Sequence, residues 1–222
     1  MTRMLDDWPA RAWTPEMFRR DYGRLFVRVR CYSAKSSHTF RHQSFHDYED
    51  LPLADYLDFI ELKRPVPAEY GVVSDWSLRE SADLFAASPE LLRDVRFSAL
   101  FGRKQFSHFL WLGPAGYVTG LHADLVHVNL LAHLYGHKQV TLFAPDQTPC
   151  LYPESDEPVQ DGLYSRVNAH APDLAAHPLF AEAQAHVATI GPGELLFIPY
   201  GWWHMVRSLD VTVRVSGSAR EV

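Results

Sequence analysis

From Phe106 to Pro145 the chain is written in short apolar segments closed by glycine, aspartate or proline: FSHFLWLG, YVTGLHAD, VNLLAHLYG and KQVTLFAP. Segments this short and this regularly punctuated predict strands of a sandwich or barrel rather than helices. GELLFIP and SLDVTVRVS carry the same signature near the C-terminus. His122 and Asp124 stand two residues apart on the second segment. Side chains alternate faces along a strand, so this pair points one way, roughly 6–7 Å apart along the strand. An imidazole and a carboxylate so placed can close on one metal ion. His204 is the natural third ligand, delivered where the apolar run Leu195 to Pro199 breaks at Tyr200-Gly201. Two histidines and a carboxylate on one face of an octahedron, with the other face open, suit Fe(II). The expected centre is a mononuclear iron site made of His122, Asp124 and His204. An HxD triplet alone is weak evidence in a chain with 12 His and 27 acids, and its setting between apolar segments is what gives it weight.

A chain of 222 residues, 47% hydrophobic and 13% aromatic, can bury a sizeable core and falls within the range of one barrel or sandwich domain. The expected division is a single domain over 1–222, with an N-terminal helical and strand portion at 1–95 and a β core at 96–218. The formal net charge of −6 argues against binding nucleic acid through phosphate neutralisation. MTRMLDDWPARAW lacks an apolar leader core and no run is long enough to cross a bilayer, so neither a leader nor a membrane is expected. Cys31 and Cys150 lack CxxC spacing and read as reduced thiols, which suits a cytoplasmic protein and a ferrous site.

Taken in order, Thr14-Pro15 predicts a capped helix with Met17, Phe18 and Tyr22 as its stripe, ended by Gly23. Leu25 to Val29 alternates as a half-buried strand. The polar stretch 33–48 places His38, His42 and His46 four apart, which reads as an exposed loop or solvated face because no carboxylate or cysteine joins them at ligand spacing. Asp50-Leu51-Pro52-Leu53 is read as opening a second helix, 70–76 as a further strand and 88–92 as a short capped turn or helix. Residues 146–188 form a long insertion with an acidic stretch and an expected helix from Pro178 to His186. The stretches 33–48 and 146–188 are expected to frame the pocket entrance.

The paired strings WLGPAGYVTGLHADLVHVNLLAHLYGHKQVTLFAPDQTPCLYP and GPGELLFIPYGWWHMVRSLDVTVRVS resemble the JmjC (cupin-like) oxygenases, especially their small hydroxylase branch. Weaker similarity extends upstream through YGVVSDW and SPELLRDV. The resemblance implies a mainly β fold, a double-stranded β-helix or jelly roll with N-terminal helices packed on one side. It implies oxidation dependent on Fe(II), 2-oxoglutarate and O2, with release of succinate and CO2, and it makes His122, Asp124 and His204 the iron ligands. By the same resemblance Lys138 pairs with the distal carboxylate of 2-oxoglutarate and Thr119 supports it. Asn129 looks like the amide near the co-substrate, Ser216 a small polar position on the final core strand, and Tyr70 a tyrosine reaching in from upstream. Asn129 stands seven residues after His122 where related chains place the amide at six, so either a bulge absorbs the extra residue or His127 or Val128 takes that place.

Lys138 lies on an expected core strand, where a lone buried ammonium would be costly and a dianionic co-substrate would supply its partner. The bland alternative is an outward, solvated lysine. Trp202 and Trp203 read as packing around the metal. The chain stops soon after the last core strand, so no dimer is implied through a helical tail. Three functions follow: hydroxylation of a small molecule, amino acid, peptide or protein side chain; N-methyl-lysine demethylation at the same site; or metal or ligand binding without oxidation.

Overall fold

A computed structural model describes residues 3–31, 47–66, 77–80, 83–101, 105–158 and 162–219. His38, His42 and His46, the strand expected at 70–76 and Tyr70 lie outside the described residues.

The expected first helix is α1, Pro15–Tyr22, and Met17 N–H donates to the hydroxyl of its cap Thr14 at 3.1 Å. Strand β1, Phe26–Cys31, follows, with Val27 and Val29 buried and Phe26 and Arg28 turned outward. It pairs antiparallel with β2, Asp47–Pro52. This corrects one expectation: Asp50 to Pro52 are strand, and helix α2, Leu53–Ile60, begins only after Pro52. Pairing with β1 supplies the backbone partners that a helical start would have left open, and Arg28 closes a bidentate contact on Asp50 across the pair. Strand β3, Ser77–Glu80, and helices α3, Asp83–Ala87, α4, Glu90–Asp94, and α5, Phe97–Phe101, complete the upstream portion.

The strands expected from Phe106 onward are β4, Ser107–Gly113, β5, Val118–Asp124, β6, Val128–Tyr135, and β7, Lys138–Phe143. They continue as β8, Gly162–Tyr164, β9, His186–Ile190, β10, Leu195–Ile198, β11, Trp203–Ser208, and β12, Thr212–Ala219. They form two antiparallel sheets, ordered β10-β6-β12-β4-β3-β1-β2 and β8-β5-β11-β7-β9. Four strands of each, β10-β6-β12-β4 and β5-β11-β7-β9, are the two halves of a jelly roll. The mainly β fold with helices on one side is therefore what the chain adopts. Trp8, Phe18, Leu57, Leu91 and Phe97 pack with Leu110, Leu130, Val213 and Val215 on the outer face of the larger sheet. Tyr56 is fully buried there and donates its hydroxyl to the Leu112 carbonyl at 2.7 Å, tying α2 to β4.

The described residues of 145–185 cover the outer face of the smaller sheet. Leu121, Ala123, Phe143, Trp203 and Met205 bury against Leu151, Phe180 and Ala183, and Trp203 Nε1 donates to Thr148 Oγ1 at 2.9 Å. The helix expected over 178–186 is a single 3-10 turn, Pro178–Glu182, because His186 onward is already extended as β9 on the sheet edge. The acidic segment leads into β8, which adds to β5.

Gly217 on β12 marks where helix and sheet approach most closely. A Cβ there would lie 2.6–2.9 Å from the ring of Phe97, which is fully buried. Gly113, on the neighbouring β4, has nothing within 4 Å of the same position. Gly217→Ala should cost about 1–3 kcal/mol, whereas Gly113→Ala should be near neutral; urea unfolding of the two variants side by side checks this.

Candidate metal centre

Strands β5 and β11 lie side by side and antiparallel, with His122 directly opposite His204 and Ala123 opposite Trp203. On both strands one set of alternate residues enters the apolar layer beneath 145–185, so the other set must face the interior between the sheets. That set holds His122 and Asp124 on β5 and His204, Val206 and Ser208 on β11. Val206 meets Val140, Ile190, Leu131 and Ile198 there, which shows that both sheets close on this space. The turn into β11 passes through Gly201 at φ +72°, a conformation glycine takes without a Cβ clash, and Gly201 N–H donates to the Asp124 carbonyl at 3.4 Å.

The three expected ligands converge. His122 Nε2 is 3.8 Å from Asp124 Oδ1 and His204 Nε2 is 3.5 Å from Asp124 Oδ2. One donor atom from each lies within 4.8 Å of the others. The far ring nitrogens face carbonyls: His122 Nδ1 donates to Gly120 O at 2.8 Å and His204 Nδ1 to Trp202 O at 3.2 Å. A carbonyl can only accept, so each Nδ1 carries a proton and each Nε2 is the nitrogen turned toward the metal position. Burial first, then the His122 imidazole, push the His204 pKa down to about 3, so its ring is neutral as a metal ligand must be. For Asp124 burial works upward, yet the two imidazoles and the Asn129 amide outweigh it and hold the carboxyl below its ordinary range. His204 is buried, whereas the Asp124 side chain stays 36% exposed, leaving one side of the set open. Two imidazole nitrogens and a carboxylate with an open side fit a divalent iron site.

Asn129, on β6, donates through Nδ2 to Asp124 Oδ2 at 2.7 Å. His127 lies at the surface against Tyr200 and Val128 enters the main core, so of the three residues weighed for the amide position only Asn129 reaches the centre. Thr119 pairs with Val206 and Val206 with Val140, one row along from the His122–His204–Leu142 row. A register shift between the two rows keeps both Thr119 and His122 on the interior face. Lys138 pairs with Ser208 a further row along, roughly 13 Å of strand from the histidine row. It is 4% exposed and donates to Ser208 Oγ at 2.8 Å, which rules out the outward, solvated lysine. No carboxylate among the described residues pairs with it; both oxygens of nearby Asp210 are taken by His137. Burial, and then Arg214, push the Lys138 pKa well down. Ser216 lies on β12 opposite Phe109 and Leu131. Sequence reasoning passed over Ser208, Thr212 and Arg214, although the alternating polar residues of TVRVS place Thr212, Arg214 and Ser216 on one face.

A family profile described as a cupin-like domain matches residues 1–216. The chain belongs to the cupin-like, JmjC-type domain family. Its JmjC-type members are typically oxygenases and generally use Fe(II) and 2-oxoglutarate. This cupin-like chain is 31% identical to HSPB1-associated protein 1 of Homo sapiens over 223 residues, covering 96% of this chain and 46% of that protein. It is 37% identical over 106 residues to lysine-specific demethylase 8 of Xenopus tropicalis, covering 48% and 23% of the two chains. To Jumonji C domain-containing protein 5 of Drosophila melanogaster it is 40% identical over 106 residues, 48% of this chain and 26% of that one. The chain thus spans about half the length of the HSPB1-associated proteins it matches.

The amide of Asn129 orients the one anionic ligand. Asn129→Ala should weaken binding of Mn(II), a redox-quiet stand-in for iron, by about 10- to 100-fold, while His122→Ala should lose it altogether; titration calorimetry reads both.

Proposed function

We propose that this protein is an Fe(II)- and 2-oxoglutarate-dependent dioxygenase that hydroxylates an unactivated C–H bond of a small molecule, an amino acid or peptide, or a protein side chain. The observation that carries this reading is the pairing of the His122/Asp124/His204 set with Lys138, a buried lysine on the same interior surface that no carboxylate among the described residues pairs with. A metal alone needs no such lysine, and a buried ammonium calls for an anion. With iron and the oxo-acid bound, the centre supplies oxidation of a C–H bond coupled to release of succinate and CO2.

The chain's own contributions follow from its geometry. Gly120 O and Trp202 O hold the imidazoles in the ligating tautomer, and Asn129 holds Asp124. Lys138, steadied by Ser208, receives the distal carboxylate, with Thr119 in the row between lysine and metal. Val140, Val206, Leu131 and Ile198 keep the space between them apolar, which strengthens each of those contacts. The open side beside Asp124 admits the substrate. The net charge of −6 favours a small molecule or peptide over nucleic acid.

The relative named lysine-specific demethylase 8 supports a second reading, N-methyl-lysine demethylation, which uses the same centre and would release formaldehyde from a methylated peptide. A cupin that only binds metal is the third. Succinate formation that requires Fe(II) and disappears in His204→Ala separates the first two from it; full succinate output from His204→Ala protein would refute the proposed centre. Lys138→Ala should raise the 2-oxoglutarate concentration needed for half-maximal turnover by about 30-fold or more, the cost of stripping a buried charge of its partner.

A further inference from the structure

The strand order leaves four sheet edges open among the described residues: β2 and β10 on the larger sheet, β8 and β9 on the smaller. An open edge presents unpaired backbone groups that invite another strand, and folded chains blunt such edges with charge, proline or brevity. β2 carries Asp47, Glu49 and Asp50 and ends in Pro52. β8 is three residues long, and β10 is four residues long and runs into Pro199. β9 has none of these devices. Its five residues, HVATI, include no acid, lysine, arginine or proline, and Val187, Thr189 and Ile190 are β-branched strand formers. His186 to Thr189 are exposed, Val187 by 60%. Val187 lies opposite Thr141 and Thr141 opposite Met205, so it stands on the outer face of the smaller sheet, where residues 145–185 leave it uncovered. The stretch free of acids, lysine and arginine runs from Ala183 to Gly193, in a chain that is 22% charged. β10 follows across the turn at 191–194, which sets the two open edges on one side of the jelly roll, with Phe197 of β10 40% exposed.

We infer that two copies of this chain meet on that side, β9 pairing antiparallel with β9 of a second copy about a two-fold axis through Ala188. In a two-fold contact the same surface faces itself, so a charged edge would oppose its own charge and a neutral one does not. The neutral run meets that demand, whereas the net charge of −6 carried by the chain as a whole sets other faces of two copies against each other. A charged peptide, the other kind of strand an open edge takes, would find no charge here to read. Centring on Ala188 uses all five residues: Ala188 faces itself, Val187 faces Thr189 and His186 faces Ile190. Val187 beside Thr189 on the outer face is a favourable cross-strand pair. The smaller sheets of the two copies become one continuous sheet, and the neighbouring β10 edges with Phe197 add contact area that a pair of five-residue strands lacks. His186 stands in the row of His122, His204 and Leu142, so the second copy closes on the sheet edge at the end of the metal row.

The test is the mass of the full chain in solution, read by sedimentation velocity at rising concentration up to about 100 µM, where even a modest interface is populated. Wild type should pass from monomer to dimer. Val187→Lys, at an exposed position where the fold tolerates the change, places two like charges beside the axis and should raise the dimer Kd by about 10-fold or more. Ala188→Cys reads the register: cysteines directly opposite across an antiparallel pair lie within disulfide reach. Mild oxidation should therefore cross-link Ala188→Cys well above the level that Cys31 and Cys150 give in wild type. Wild-type protein that stays monomeric at about 100 µM would overturn the inference. A dimer that survives Val187→Lys, or one that leaves Ala188→Cys without a cross-link, would put the contact on another face and overturn it equally.

Discussion

Everything at the centre depends on the antiparallel pairing of β5 with β11 in the register that sets His122 opposite His204. Along a strand the side-chain period is two, so a slip by one residue would turn both imidazoles into the apolar layer and bring Ala123 and Trp203 inward. The pairing is held from the other side as well. Leu121, Ala123, Trp203 and Met205, the alternate residues of the same two strands, are buried beneath residues 145–185, and the Trp203 indole is pinned by Thr148. The long segment between β7 and β9 therefore has a mechanical task before any role at the entrance: its apolar side chains make the correct register the one that buries most surface.

The interior built by this pairing is polar at both ends and apolar between. At one end stand two imidazoles and a carboxylate, each oriented by a carbonyl or an amide; at the other are Lys138, Ser208, Thr212 and Arg214. Val140, Val206, Leu131, Ile190 and Ile198 separate them. Charges in such surroundings interact more strongly than in water and tolerate isolation badly. A ligand that carried negative charge at both its ends would answer both demands at once, and that is the physical content of the co-substrate proposal.

The helix cap at Thr14, the alternation in β1 and the strands from Ser107 to Phe143 were legible because each rests on local chemistry: a side-chain acceptor at a helix start, or the alternation of faces along a strand. The errors are of one kind. Asp50 to Pro52 looked like a helix entrance because turn-forming residues stand there, but β1, distant in the chain, recruits them as a strand. Residues 178–186 looked helical by composition, but the edge of β7 captures His186 onward as β9. Asn129 is suggested by its residue type and the family resemblance although its offset from His122 is one residue too long, while its contact with Asp124 depends on how the β5–β6 turn places the three residues between the strands. Arg214 was visible as a charge in an alternating strand, with nothing local to say whether its face is the wet one or the interior.

The sequence by itself determined which residues are extended, which side chains share a face, and that His122, Asp124 and a remote His204 carry metal-binding chemistry. Only the tertiary structure decided that the two histidine strands are neighbours, that Lys138 is sealed inside with no carboxylate pairing with it among the described residues, and that Arg214 faces the same interior. The reason is that facing along one strand is a local property with a period of two. Which face is buried, and which remote residue stands opposite, depends on the pairing of strands far apart in the chain and on the surface they bury together.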